Sequence, residues 1–168
     1  WSYNADCSTF ASLISLRQLV KKENLKHVVS FHSSISRSKE FKLLNDQLNT
    51  FSSDFGIIHA SQISGKDSSG VRKDVLTKFK SIEPSLITNA RCLTEGVDIP
   101  VIDAVLFADP KNSTVDIVQA AGRAMRRCEG KKYGYIIVPI IVDEDEEGSI
   151  HKDSFKQIIN VISAMGMN

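Results

Sequence analysis

An α/β fold, with a mainly parallel sheet covered by helices on both faces, is predicted by three features of the amino-acid sequence. Short β-branched apolar runs alternate with segments of helical periodicity along the whole chain, the pattern of βαβ units. Its 168 residues suit one compact domain, taken here as residues 1–168 with a core at 27–140. At 42% hydrophobic and 24% charged residues, the composition is that of an ordinary globular protein, which excludes disordered and fibrous classes.

Leu13, Leu16 and Val20 mark an initial helix by their spacing. HVVSFHS (27–33) reads as a buried strand, and Phe41, Leu44 and Leu48 give a helix over 37–49. GIIHAS (56–61) is the next strand candidate, followed by the polar turn SGKDSSG (64–70) and a helix whose face holds Val71, Val75 and Phe79. SLITN (85–89), VIDAVLF (101–107) and GYIIVPIIV (134–142) are three further strands. Ser113, with Asp116 three residues on, is a capping signature for a helix running to about residue 127. Phe155, Ile158, Ile159 and Ile162 mark a terminal helix at about 150–166. In such a fold the loops after each strand gather along one edge of the sheet, where ligands bind.

The formal net charge is +1, but residues 143–147 (DEDEE) hold five consecutive acidic side chains, leaving +6 on the rest. A basic face is therefore compatible with a neutral total. Cys7, Cys92 and Cys128 form no CxxC pair, fitting neither a disulfide scaffold nor a zinc ribbon but the reduced thiols of a cytoplasmic protein. No signal-peptide pattern and no apolar run of membrane-spanning length is present. The chain opens at Trp1 rather than Met and reads as a segment of something longer.

Two segments bear the chemistry. In TVDIVQAAGRAMRR (114–127), Gln119, Arg123 and Arg126 fall at i, i+4 and i+7, on one face of a continuous helix. Val115, Val118, Ala121 or Gly122, and Met125 are expected to form the core-facing stripe opposite. An amide and two guanidiniums on one face suit a polyphosphate, because arginine offers forked, permanently charged donors to phosphate oxygens. A solvated basic helix face has the same spacing. In LITNARCLTEGVDIP (86–100), a strand leads into Glu95-Gly96-Val97-Asp98, where glycine permits a tight turn and Asp98 is placed to accept from a ribose or hold an arginine. An ordinary helix-ending turn also uses these residue types.

Together, NARCLTEGVDIP and the following QAAGRAMRR resemble motifs V and VI of superfamily 2 helicases and translocases. HVVSFHSSISRSKEF is similar to the motif IV strand and helix, and IIHASQISGKDSSGVRKDVLTKF to the next strand, turn and helix. The resemblance covers residues 27–140 and implies the second RecA-like lobe of a two-lobe motor, a three-layer domain. It implies that Arg126 is an arginine finger for the γ-phosphate of ATP, which is held with Mg2+ mainly by a partner N-terminal lobe. It makes Arg123 a second arginine that approaches the triphosphate or couples the lobes. Gln119 stands near the γ-phosphate, and Gly96 and Asp98 beside the ribose. Ser33, Thr88 and Asn89, with Lys66 and Arg72, match places where relatives touch the nucleic-acid backbone.

Gln119 and Glu95 depart from the DEAD-box RNA pattern (His-Arg-x-Gly-Arg-x-Gly-Arg and Arg-Gly-x-Asp) and favour DNA over RNA, in the style of excision-repair helicases and restriction-system motors. Gly65-Lys66-Asp67 lacks the upstream glycine of a phosphate-binding loop, and Val142-Asp143-Glu144-Asp145 has no such loop ahead of it. The lobe alone is therefore expected to be inactive. His27, His32, His59 and His151 show no metal-ligand spacing, and His32 reads as a satisfied strand histidine. A non-catalytic docking module of this fold, an RNA helicase lobe and a flavodoxin-type ligand domain are the competing readings.

Overall fold

A computed structural model of the protein describes residues 7–51, 55–90, 101–139 and 155–166. The elements run α1 (Cys7–Glu23), β1 (His27–Phe31), α2 (Ile35–Phe51), β2 (His59–Ser64), α3 (Ser69–Ser81), β3 (Ser85–Ala90), β4 (Ala104–Phe107), α4 (Thr114–Ala124), β5 (Tyr135–Ile137) and α5 (Lys156–Gly166). The five strands form one parallel sheet in the order β2-β3-β1-β4-β5. In register, Val29 of β1 sits beside Ile87 of β3 and Val105 of β4.

Burial on both faces accounts for the continuous apolar runs in β1, β3 and β4, all of whose residues are buried. Alternate side chains feed two separate cores. Val29, Phe31, Ile87, Val105 and Phe107 pack with Phe79 of α3, Ile117, Ala120 and Ala124 of α4, and Ile158 of α5. Val28, Leu86, Ala104 and Leu106 pack on the other face with Leu13, Leu16 and Val20 of α1 and Phe41, Leu44 and Leu48 of α2. The helical faces expected for α1 and α2 are thus the buried ones.

One strand is displaced from its expected place. The apolar run predicted a strand at 56–61, but β2 starts at His59, and Ile57 is exposed. The cause is a polar knot at the start of the sheet. Asn45 Nδ2 and Asn49 Nδ2 donate to the Ile58 carbonyl at 2.8 and 2.9 Å, and Ile58 N donates to Asn49 Oδ1 at 3.1 Å. The Ile58 backbone is therefore bonded to α2 side chains instead of a neighbouring strand. At its centre is Arg17 of α1, 1% exposed, which donates to the Gly56 carbonyl (2.5 Å), the Asn45 carbonyl (2.9 Å), Asn45 Oδ1 (2.6 Å) and Asn49 Oδ1 (2.8 Å). Burial lowers the pKa of this guanidinium, opposed by the field of Asp46.

Removing the guanidinium strands several buried acceptors, each costing about 1–3 kcal/mol when left unpaired. Arg17→Ala is therefore expected to lower unfolding free energy by roughly 3 kcal/mol in urea titrations. A loss below about 0.5 kcal/mol, the range of ordinary surface changes, would contradict this account of the knot.

Candidate functional site

Helix α4 begins where Ser113 Oγ accepts from Asp116 N at 3.3 Å, the expected cap. The Asp116 carboxylate does not return to the cap; it accepts from Lys111 Nζ at 3.0 Å. The helix stops at Ala124, with Met125 closing it, rather than continuing to residue 127. Arg126 consequently lies on the turn beyond the helix.

Of the expected stripe, Ala121 is buried and the larger side chains are not. Ile117, Ala120, Ala121 and Ala124 face the core, whereas Val115 (64%), Val118 (40%) and Met125 (54%) are exposed. Ile117 lies two residues from Val115, about 200° around a helix. Three alanines on the inner face let α4 approach the sheet and α5 closely, a role that small side chains fill better than valines. A Cβ on Gly122 would meet nothing within 4 Å, so the outward face is open there. Gln119 and Arg126 are exposed, but Arg123 is only 6% exposed, so the three do not share one face.

The turn after α4 is fastened to the sheet. Lys131 Nζ donates to the Ala124 carbonyl, to the Arg126 carbonyl at 3.0 Å and to the Ile102 carbonyl at 2.6 Å. Burial lowers the Lys131 pKa, against the opposing fields of Asp103 and Cys128. Ile102 leads into β4, so Arg126 sits on the side of the sheet where β4 and β5 begin.

Ser33, Lys66 and Arg72 lie at the opposite edge, following β1 and β2. Ser33 is exposed, and both its N–H (2.8 Å) and hydroxyl (2.9 Å) donate to Asp109 Oδ2. Asp109 Oδ1 accepts from Arg37 Nε at 2.7 Å. This buried carboxylate and its arginine were not singled out from the sequence; an Asp-Pro directly after an apolar strand was the available signal. After β2, Asp67 Oδ2 accepts from Ser64 N (2.6 Å) and Ser64 Oγ (3.0 Å), which shapes the turn that exposes Lys66. Arg72, in the first turn of α3, is half-buried.

Thr88 and Asn89 are not on that surface. Both are fully buried within β3, because the strand continues to Ala90 instead of ending at 89. Asn89 Nδ2 donates to the Ser30 carbonyl at 3.0 Å, and the Asn89 carbonyl accepts from His32 N at 2.9 Å, so the residue joins β3 to β1. Gly96 and Asp98, like the acidic run 143–147, lie outside the described residues.

His32 is a buried strand-end histidine with a satisfied Nε2, 2.9 Å from Ser30 Oγ, and its ring lies 4.9 Å from that of Phe41. Desolvation pushes its pKa down to about 4, with Asp109 opposing and Arg37 reinforcing the shift. Because the folded pKa is below the unfolded value near 6.5, the unfolded chain binds the extra proton. Stability from this group is complete above about pH 6.5 and is lost as the pH falls toward 4, by up to about 3 kcal/mol. Urea midpoints between pH 7 and 4.5 should fall less steeply in His32→Gln; an unchanged slope would assign the acid sensitivity elsewhere.

The parallel sheet in the order β2-β3-β1-β4-β5, with helices on both faces, is that of a RecA-like lobe. Residues 11–128 match the helicase conserved C-terminal domain, and the chain belongs to that family. Among curated proteins, it is 33% identical over 90 residues to probable helicase A859L of African swine fever virus (isolate Pig/Kenya/KEN-50/1950), covering 53% of this chain and 10% of that protein. It is 30% identical over 113 residues to DEAD-box ATP-dependent RNA helicase 27 of Oryza sativa subsp. japonica, covering 67% of this chain and 18% of that one. The structure of the ATP-dependent type ISP restriction-modification enzyme LlaBIII bound to DNA superposes with a TM-score of 0.70 at 30% identity, over 95% of this chain and 12% of that chain. The chain thus spans about a tenth of the length of the first curated relatives it matches. Among the described residues, no helix is long and apolar enough to cross a membrane.

Proposed function

We propose that this chain is the C-terminal motor lobe of an ATP-dependent DNA helicase or translocase, supplying Arg126 as an arginine finger to ATP and Mg2+ held by an N-terminal lobe. The observation that carries the reading is the exposed Arg126 on a fastened turn, directly beside an outward apolar stripe of Val115, Val118 and Met125. Apolar side chains left outside on an amphipathic helix suit a protein surface that closes over them. A guanidinium beside that surface would arrive at the triphosphate only on closure. Gln119, exposed on the same helix, is assigned to the γ-phosphate neighbourhood. Arg123, buried, is assigned the coupling role of the two that the motif allows. Gly96 and Asp98 keep their assignment to the ribose.

Phosphoryl transfer is accelerated mainly by positioning and charge neutralisation, and an arginine supplied in trans contributes about 10³–10⁵ in rate. Delivering it from a separate lobe makes hydrolysis conditional on closure, and a nucleic acid lying across both lobes then biases closure. Ser33, Lys66 and Arg72, at one edge of the sheet, are assigned to phosphate contacts, which position a strand without reading its sequence. Asp109 and Arg37 shape the Ser33 turn for that task. DNA is preferred because the LlaBIII structure at 30% identity is bound to DNA and because Gln119 and Glu95 depart from the RNA-helicase pattern. We assign a cytoplasmic setting from the sequence, in which Cys7, Cys92 and Cys128 form no CxxC pair.

In a protein carrying both lobes, ATP turnover should rise with single- or double-stranded DNA more than with RNA. Arg126→Ala should cut that turnover by about 10³-fold or more while ATP binding persists. Wild-type turnover in the variant would remove the finger assignment, and stronger activation by RNA would reverse the substrate preference.

A further inference from the structure

We infer that Lys131 is a positioning residue for Arg126, its ammonium holding the turn that bears the arginine at a fixed place relative to the segment leading into β4. The inference rests on the finger role proposed for Arg126 and adds a residue that the motif resemblance did not assign.

An ammonium has three donors and no acceptor. Here carbonyl oxygens of Ala124, Arg126 and Ile102 take them. Ala124 is the last residue of α4, where carbonyls lack helical partners and the helix dipole favours a cation. Lys131 therefore caps α4 from seven residues downstream and holds the carbonyl of Arg126 itself. Its third bond reaches across 29 residues of sequence to Ile102, two residues after the stretch that contains Gly96 and Asp98. One side chain thus ties the backbone of the turn that bears Arg126 to that of Ile102, which leads into β4. Lys132, its neighbour in the sequence, is exposed and makes none of these bonds, so the two adjacent lysines have separate roles.

The placement of a catalytic group is sensitive to small displacements, with about 1 Å able to cost on the order of 10²-fold. Releasing Lys131 frees the arginine's backbone, so the loss belongs in kcat and not in ATP affinity.

The test compares Lys131→Met, Lys132→Met, Arg126→Ala and the double variant Lys131→Met/Arg126→Ala in the protein carrying both lobes, by DNA-stimulated ATP turnover. Lys131→Met is expected to lower kcat by about 10–100-fold with KM for ATP changed less than about twofold, and Lys132→Met to resemble wild type. Because Lys131 acts through Arg126, the double variant should be no slower than Arg126→Ala alone. Lys131→Gln, which retains amide donors without the charge, is read by the same criteria should Lys131→Met fold poorly. Wild-type kcat in the Lys131 variants, or losses that multiply in the double variant, would overturn the inference and leave the finger role standing. Wild-type turnover in Arg126→Ala would instead remove the finger role, and this inference with it.

Discussion

The approach of α4 to the chain entering β5 is the constraint on which the rest of the site depends. A Cβ on Gly134 would lie 2.0 Å from the Ala124 carbonyl oxygen and 2.6 Å from its carbon, so only glycine lets the two backbones pass. Both groups are main chain, and no rotamer change relieves the overlap. With that passage open, Tyr135 N reaches the Asp103 carbonyl at 2.8 Å and β5 joins β4. The same closeness brings Lys131 onto the last carbonyls of α4, and the helix ends before Arg126 instead of continuing through it.

From this follows an arrangement with two working edges. Asp109 gathers the Ser33 turn and Arg37 where the strands end, and the Arg126 turn is fastened where β4 begins. Helix α4, 11 residues and about 16 Å long, spans the distance between them. In the proposed motor, nucleic acid engages one edge and the triphosphate the other, with a rigid element and a continuous sheet in between. Loop-borne contacts would transmit lobe closure poorly; α4 is instead packed into the core of the sheet by Ile117, Ala120 and Ala124.

The sequence made the alternation of elements legible because each strand is buried on both faces and each helix repeats its apolar positions. Its failures have physical causes. The run at 56–58 has the composition of a strand, but the asparagines of α2 and the guanidinium of Arg17 occupy its backbone, a long-range effect invisible in a local window. In α4, hydrophobicity pointed to the valines, whereas close packing selected the alanines and left Val115 and Val118 outside. Arg126 was named from its motif, but its position beyond the helix depends on Lys131 and Gly134, neither of which stands out by residue type. Thr88 and Asn89 lie inside β3 and not at its end, because pairing with β1 and β2 carries the strand to Ala90.

The central claim is tested most directly by a structure of the two-lobe protein with DNA and a non-hydrolysable ATP analogue. The account predicts the Arg126 guanidinium at charge-assisted hydrogen-bond distance, about 2.7–2.9 Å, from a γ-phosphate oxygen, with Val115, Val118 and Met125 covered by the partner lobe. A closed complex in which Arg126 still faces solvent, or in which another arginine occupies the γ-phosphate, would contradict it.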